Sequence, residues 1–162
     1  MGPMFNEAGR QRTREHIADA LAKGAKLLCG GHEPEGEQYA RGFFFLPTVL
    51  TNVNHSMKVM QEETFGPVAP IMRFKGLDEA LSLANDTPYG LAAYIFTNDL
   101  DTAIYAAEKL EAGGVGINLN DVSELQAPFG GWKQSGFGRE LGHYGLEEYL
   151  EIKHVRLELG TM

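Results

Sequence analysis

Apolar positions recur at two different periods along this chain, and the switch between them marks its elements. From Asn6 to Lys23 the apolar residues Ile17, Ala20 and Leu21 fall at helical spacing. Asn6 suits the N-cap of that helix and Glu7 its positive end. Gly24 suits its C-terminal stop. Ala25 to Leu28 then reads as a short strand ending at Gly30-Gly31. HEPEGEQYARG, residues 32–42, is polar and reads as a surface excursion. FFFLPTVL at 43–50 returns to extended structure, interrupted by Pro47.

QEETFGPVAP at 61–70 reads as a loop, because Gly66, Pro67 and Pro70 break regular structure. IMRF reads as the strand after it. A second helix starts at Asp78, runs through Leu81, Leu83 and Ala84, and stops at Asn85-Asp86-Thr87-Pro88. Leu91–Thr97 reads as a buried strand. A third helix, capped by Asn98 or Asp99, runs to about Glu111, and Val115–Asn118 is another short strand. Strands alternating with helices at these lengths predict an α/β fold, a mostly parallel sheet with flanking helices. Toward the C-terminus the character changes. Residues 130–145 hold six glycines, and in 147–157 Leu150, Ile152, His154 and Arg156 alternate with Glu151, Lys153 and Val155. That period of two predicts a strand, and with no hairpin partner nearby it predicts pairing with another sheet, in another subunit.

A chain of 162 residues is of single-domain length, and at this size roughly 70% of the unfolded surface is buried on folding. Its 43% apolar content with nine Phe and six Tyr is that of a globular protein. The net charge of −8 would repel a polyanion, so neither nucleic acid nor an anionic membrane surface is an expected partner. The apolar runs are too short to span a bilayer. MGPMFNEAGR has no apolar stretch of the signal-peptide kind, and one cysteine forms no disulfide within the chain, so the cytoplasm is the expected compartment.

The phosphate-cradling glycine motifs are missing, since no GxGxxG follows a strand and no GxxxxGK[ST] occurs. The histidines, at 16, 32, 55, 143 and 154, are too scattered for a zinc site, and no metal is expected. Cys29 admits two readings. It is a small buried hydrophobe, as free cysteines commonly are, or a nucleophile, which would need a cationic neighbour or helix N-terminus to lower its pKa. The preceding Leu27-Leu28 favours burial. The QEETFGPV loop also admits two. One carboxylate has the two acceptor oxygens that match a pair of vicinal hydroxyls, as on a ribose, and Phe65 could press on a flat heterocycle. Alternatively the loop is a solvated acidic turn with Phe65 tucked into the core.

Three stretches, in order, go further: EETFGPVAPI at 62–71, NDTPYGLAAYIFTNDL at 85–100, and APFGGWKQSGFGRELGHYGLEEYLEIKHV at 127–155. Together they resemble the NAD(P)-dependent aldehyde dehydrogenase superfamily, and the resemblance covers essentially the whole chain. It implies that Glu63, the second Glu of E-E-x-F-G-P, hydrogen-bonds the nicotinamide ribose and that Phe65 contacts the nicotinamide. It attaches no such role to Glu62. It implies that Asn118–Phe129 forms part of the aldehyde pocket, with Phe129 as a pocket aromatic and Ser123, Glu124 and Leu125 at positions that tune substrate choice. Core packing is the other reading of Phe129. The tail EEYLEIKHV is similar to the family's oligomerisation strand, which implies a homo-oligomer.

The family's reaction uses a cysteine thiolate that attacks the aldehyde, hydride transfer to NAD or NADP, and hydrolysis of the resulting thioester by a glutamate-activated water. The resemblance puts those groups and the dinucleotide-binding domain upstream of the stretch that Gly2-Pro3-Met4-Phe5-Asn6-Glu7 matches, and Cys29 does not match the nucleophile. The expectation is therefore the C-terminal portion of such an enzyme. Residues 1–145 would be part of the catalytic domain and 146–162 the oligomerisation tail. The NAD(P) site would be incomplete, no catalytic residue would be present, and the isolated chain would be inactive. The alternative is a non-catalytic binding or assembly module on the same fold.

Overall fold

The computed structural model describes residues 1–160. It has two compact units, one over residues 1–76 and the other from Leu77 onward.

The first unit is built on helix α1, Glu7–Ala22. The Asn6 side chain accepts a hydrogen bond from Gly9 N at 2.8 Å and so satisfies one of the helix's free N–H groups. Strands β1 (Lys26–Cys29), β2 (Thr48–Thr51) and β3 (Val68–Ile71) form a sheet in the order β1-β2-β3. A single 3₁₀ turn, Glu37–Tyr39, lies in the polar excursion between β1 and β2. The short helix α2, Lys58–Gln61, precedes the QEETFGPV loop. The core of this unit gathers Ile17 and Ala20 of α1 with Ala25, Phe45, Leu50, Val53, Met57 and Val59.

The second unit contains α3 (Leu77–Asn85), β4 (Tyr89–Gly90), β5 (Ala92–Ile95), α4 (Leu100–Lys109), β6 (Gly114–Ile117), β7 (Trp132–Lys133) and α5 (Gly142–Glu147). Asp99 caps α4 by accepting from Thr102 N at 2.8 Å. Leu81, Ala106 and Leu110 form its core, with Leu77, Ala93, Ile95 and Val115 packed against them.

The fold is mixed α/β, but the sheet is not mostly parallel. β2–β3 and β5–β6 are parallel, whereas β1–β2 and β4–β7 are antiparallel, in three small sheets. The connections explain the split. A helix stands between the strands of each parallel pair, α2 in one and α4 in the other. β1 and β2 are joined by the polar excursion, and β7 comes out of the glycine-rich stretch. The strand after the QEETFGPV loop also begins earlier than IMRF and includes Pro70. Because β3 is an edge strand, a residue without an N–H is accommodated there. The stretch 91–97, which holds β5, is half-exposed rather than buried, with Tyr94 in the strand and Phe96 just after it open to solvent.

The C-terminal strand over 147–157 is not formed in the single chain. Glu147 ends α5, and residues 150–160 carry no ladder. A strand is defined by its hydrogen-bonding partner, and among the described residues nothing pairs with this segment. The last two residues of the expected 146–162 tail lie outside the described residues.

Candidate functional site

Helix α1 organises the QEETFGPV loop from one face. Thr13, His16, Ile17 and Ala20 are its buried residues, at the i, i+3, i+4, i+7 spacing of a single stripe. Two of the four are polar, and both face the segment 62–66. His16 is 1% exposed. Its Nδ1 lies 2.9 Å from Thr64 Oγ1 and its Nε2 lies 3.2 Å from Glu62 Oε2. A carboxylate only accepts, so Nε2 carries a proton, and the Thr64 hydroxyl serves the other nitrogen. Thr13 lies against Gly66, so closely that a Cβ there would collide with the Thr13 hydroxyl. One turn further along α1, Asp19 accepts from Lys58 N at 2.8 Å and caps α2. Thr13, His16 and Asp19 thus hold successive points of the segment 58–66.

The clamp divides the loop by partner rather than by exposure. Glu62 and Thr64 reach back to His16, although Glu62 is itself exposed, while Glu63 and Phe65 are exposed without such a partner, Phe65 to 79%. Phe65 is therefore not tucked into the core. Its φ of 51° is left-handed, a conformation that costs a bulky residue energy and that persists where the surroundings hold it. Among the described residues no hydrogen bond or ion pair occupies the Glu63 carboxylate. Two free acceptor oxygens and an exposed phenyl ring on one loop fit a vicinal diol attached to a flat ring.

Ser123 and Phe129 lie in the second unit. The Asn118 side chain accepts from Thr97 N at 2.9 Å and donates to Thr97 O at 2.8 Å, which fixes the start of their segment at the end of β6. Ser123 is exposed, and its N–H donates to Asp121 Oδ1 at 2.8 Å. Phe129 is half-buried and exchanges two backbone hydrogen bonds with Glu140, both 2.7 Å. Phe129 lines a cleft of about 670 Å³ with Leu91, Phe137, Arg139, Leu146 and Tyr149, and Ser123 does not line it. The structure thus puts Glu63 and Phe65 on one loop but does not bring Ser123 and Phe129 to one cleft.

Cys29 is exposed, not buried. It ends the edge strand β1, all of whose residues are open to solvent. The loop 62–67 leads into β3, the opposite edge, two inter-strand spacings or about 10 Å away. The residue that sequence reasoning passed over is His16. A polar side chain inside the apolar stripe of a helix was the available signal, because such a group is buried only with partners. Among the described residues no group of three or more His, Cys, Asp and Glu side chains is placed to hold a metal ion. No helix there is long and apolar enough to cross a membrane.

The model of the aldehyde dehydrogenase family matches residues 1–155. The chain belongs to the aldehyde dehydrogenase family. It is 50% identical over 156 residues to the 3-sulfolactaldehyde dehydrogenase of Pseudomonas putida, a match that covers 96% of this chain and 31% of that protein. It is 48% identical over 159 residues to the NADP(+) succinate-semialdehyde dehydrogenase of Escherichia coli K12, covering 98% of this chain and 32% of that one. The crystal structure of the betaine aldehyde dehydrogenase of Staphylococcus aureus in complex with NAD+ superposes with a TM-score of 0.90 at 46% identity, covering 96% of this chain and 31% of that one. The chain therefore spans about a third of the length of these aldehyde dehydrogenases.

Proposed function

We propose that this chain is the C-terminal portion of an NAD(P)-dependent aldehyde dehydrogenase catalytic domain, serving the reaction of an aldehyde, NAD(P)+ and water to a carboxylic acid and NAD(P)H. The observation that carries the reading is the clamped loop. Glu63 and Phe65 stand exposed two residues apart, within the family match, on a segment that α1 holds at three points. Glu63 accepts hydrogen bonds from the two hydroxyls of the nicotinamide ribose, and Phe65 packs on the nicotinamide. The dinucleotide, when bound, supplies the hydride acceptor. Glu63 and Phe65 orient it, and orientation is a large part of what an enzyme contributes to such a transfer. Relatives are described with NAD+ and with NADP(+), so either form suits the proposal.

Phe129 forms part of the wall that receives the aldehyde, and Ser123 stands on the same segment as a tuning position. None of these residues is a nucleophile. Cys29, the only cysteine, stands on the sheet edge opposite the loop. The 162-residue chain by itself is therefore expected to bind the cofactor's nicotinamide end without turning over aldehyde. Titration with NADH, followed by nicotinamide fluorescence on chain shown to be folded by circular dichroism, tests this. Saturable binding that is lost in Glu63→Ala, with no aldehyde-dependent NADH formation, is the expected result. NADH formation by purified chain, or affinity indifferent to Glu63→Ala, contradicts it.

A second reading is a module that assembles with copies of itself. The observation that favours it is the exposed apolar series Leu150, Ile152, Val155, Leu157 and Leu159 on the unpaired tail.

A further inference from the structure

We propose that His16 is a positioning residue for the cofactor-facing loop: from the buried face of α1 it grips Glu62 and Thr64 on either side of Glu63, and so aims the Glu63 carboxylate and the Phe65 ring. The inference rests on the reading of Glu63 and Phe65 given above.

The geometry has three parts. In an extended segment residues i and i+2 point the same way, and residue i+1 points opposite. His16 takes Glu62 with one ring nitrogen at 3.2 Å and Thr64 with the other at 2.9 Å. A flat ring with nitrogens at two corners is suited to that pair, and fixing both sends Glu63 outward. The register is then carried one residue on. Phe65 sits at a φ of 51° and Gly66 packs directly on Thr13, so the left-handed turn that presents the phenyl ring is held between two α1 contacts.

His16 is also costly where it stands. A side chain 1% exposed would be more simply apolar, and its neighbours Ile17 and Ala20 are. A buried polar group is tolerated when satisfied, and both nitrogens are satisfied by this loop alone, although the sequence separations are 46 and 48 residues. Its contacts therefore add loop order rather than core volume. Glu62, to which the resemblance gave no cofactor role, is here the far anchor of that grip.

The test compares His16→Leu, Thr64→Val, Glu63→Ala and the core truncation Leu50→Val in the full chain, by NADH fluorescence titration and by hydrogen exchange of the amides of 62–66. Leu50 is fully buried in β2, paired with Pro70 of β3 rather than with the segment 62–66, and has no part in the cofactor reading, so it controls for loss of core stability. His16→Leu is expected to weaken NADH binding about tenfold and to speed exchange at 62–66, because a loosened support misplaces the groups it carries. Leu50→Val is expected to leave affinity unchanged. Thr64→Val cuts the same grip from the other end without altering α1, and it reports on the proposal if His16→Leu does not fold. Weakened binding in Glu63→Ala with wild-type affinity in both His16→Leu and Thr64→Val overturns this inference alone. A wild-type chain that does not bind NADH, or a Glu63→Ala chain that binds like wild type, overturns the Glu63 reading and this inference with it.

Discussion

The Thr13 hydroxyl occupies the place that any side chain at Gly66 would need. It donates to Gly9 O at 3.0 Å one turn back along α1, so it is not free to rotate away without losing that bond. The glycine of the QEETFGPV loop is thus explained by close approach to a helix, since its φ is not in the left-handed region that otherwise calls for glycine.

Gly66→Ala should therefore destabilise the first unit by about 1–3 kcal/mol, the usual range for overpacking a rigid contact. Removing the obstructing hydroxyl should relieve it. In Thr13→Ala/Gly66→Ala the loss should be clearly smaller than the sum of the single losses, a coupling typical of residues in contact. Urea denaturation of the four chains measures this. Strict additivity would mean that Thr13 is not what excludes a side chain at position 66.

Acid should weaken the helix caps in a defined direction. Hydrogen bonds from Thr102 hold the Asp99 carboxyl below its ordinary value of 3.8. Arg10 and then Arg14 hold Glu7 below 4.5, and Lys23 and then the Lys58 N–H hold Asp19 below 3.8. Each folded-state value lies under the unfolded one. The stabilisation is therefore present above the ordinary carboxylate range and is lost as pH falls through the lowered folded value. Asp99→Asn keeps an N-cap oxygen but removes the titration. Between about pH 5 and pH 3 its stability should fall less steeply than that of wild type. Parallel slopes in thermal melts across that window would show that Asp99 contributes nothing to acid sensitivity.

The chain announced its helices more clearly than its sheets, for a local reason. Asn6 and Asp99 cap α1 and α4 with their own side chains, and Gly24 follows α1 closely. Those signals lie within a turn of what they predict. Strand pairing depends on distant partners, so β4 with β7 and the antiparallel β1–β2 contact had no signal of comparable strength. Cys29 shows the same limit. Leu27 and Leu28 suggested a buried strand, but β1 became an edge whose residues are all open to solvent. The motif EETFGPV pointed to Glu63 and Phe65 by resemblance. It could not show that His16 holds their neighbours, because that contact spans 46 to 48 residues of sequence.

Cys29 should behave as an ordinary accessible thiol. Its Sγ has one weak contact, to Pro47 O at 3.9 Å, and the residue is exposed on β1. A maleimide should label the native chain completely and without denaturant. The labelled chain should bind NADH as the unlabelled chain does, since β1 and the loop lie at opposite edges of the sheet. Labelling that requires unfolding would contradict the exposure. Labelling that abolishes NADH binding would place Cys29 at the cofactor loop.

The tail gives a prediction about mass. Leu150, Ile152, Val155, Leu157 and Leu159 are all exposed on a segment with no ladder, and Glu151, Lys153 and Glu158 lie between them. Unpaired backbone with apolar side chains is a template for another strand, and a second copy of the chain carries an identical one. The full chain should therefore be a dimer or larger by light scattering at micromolar concentration. A chain ending at Glu148 should shift to a smaller assembly while keeping its helical circular dichroism, because α5 ends at Glu147 and the cores of both units lie before it. Replacing Ile152 and Val155 with Lys should act in the same direction without shortening the chain, since like charges facing each other across a paired strand are destabilising. A monomeric full chain, or an assembly that ignores both changes, would remove the tail from any role in association.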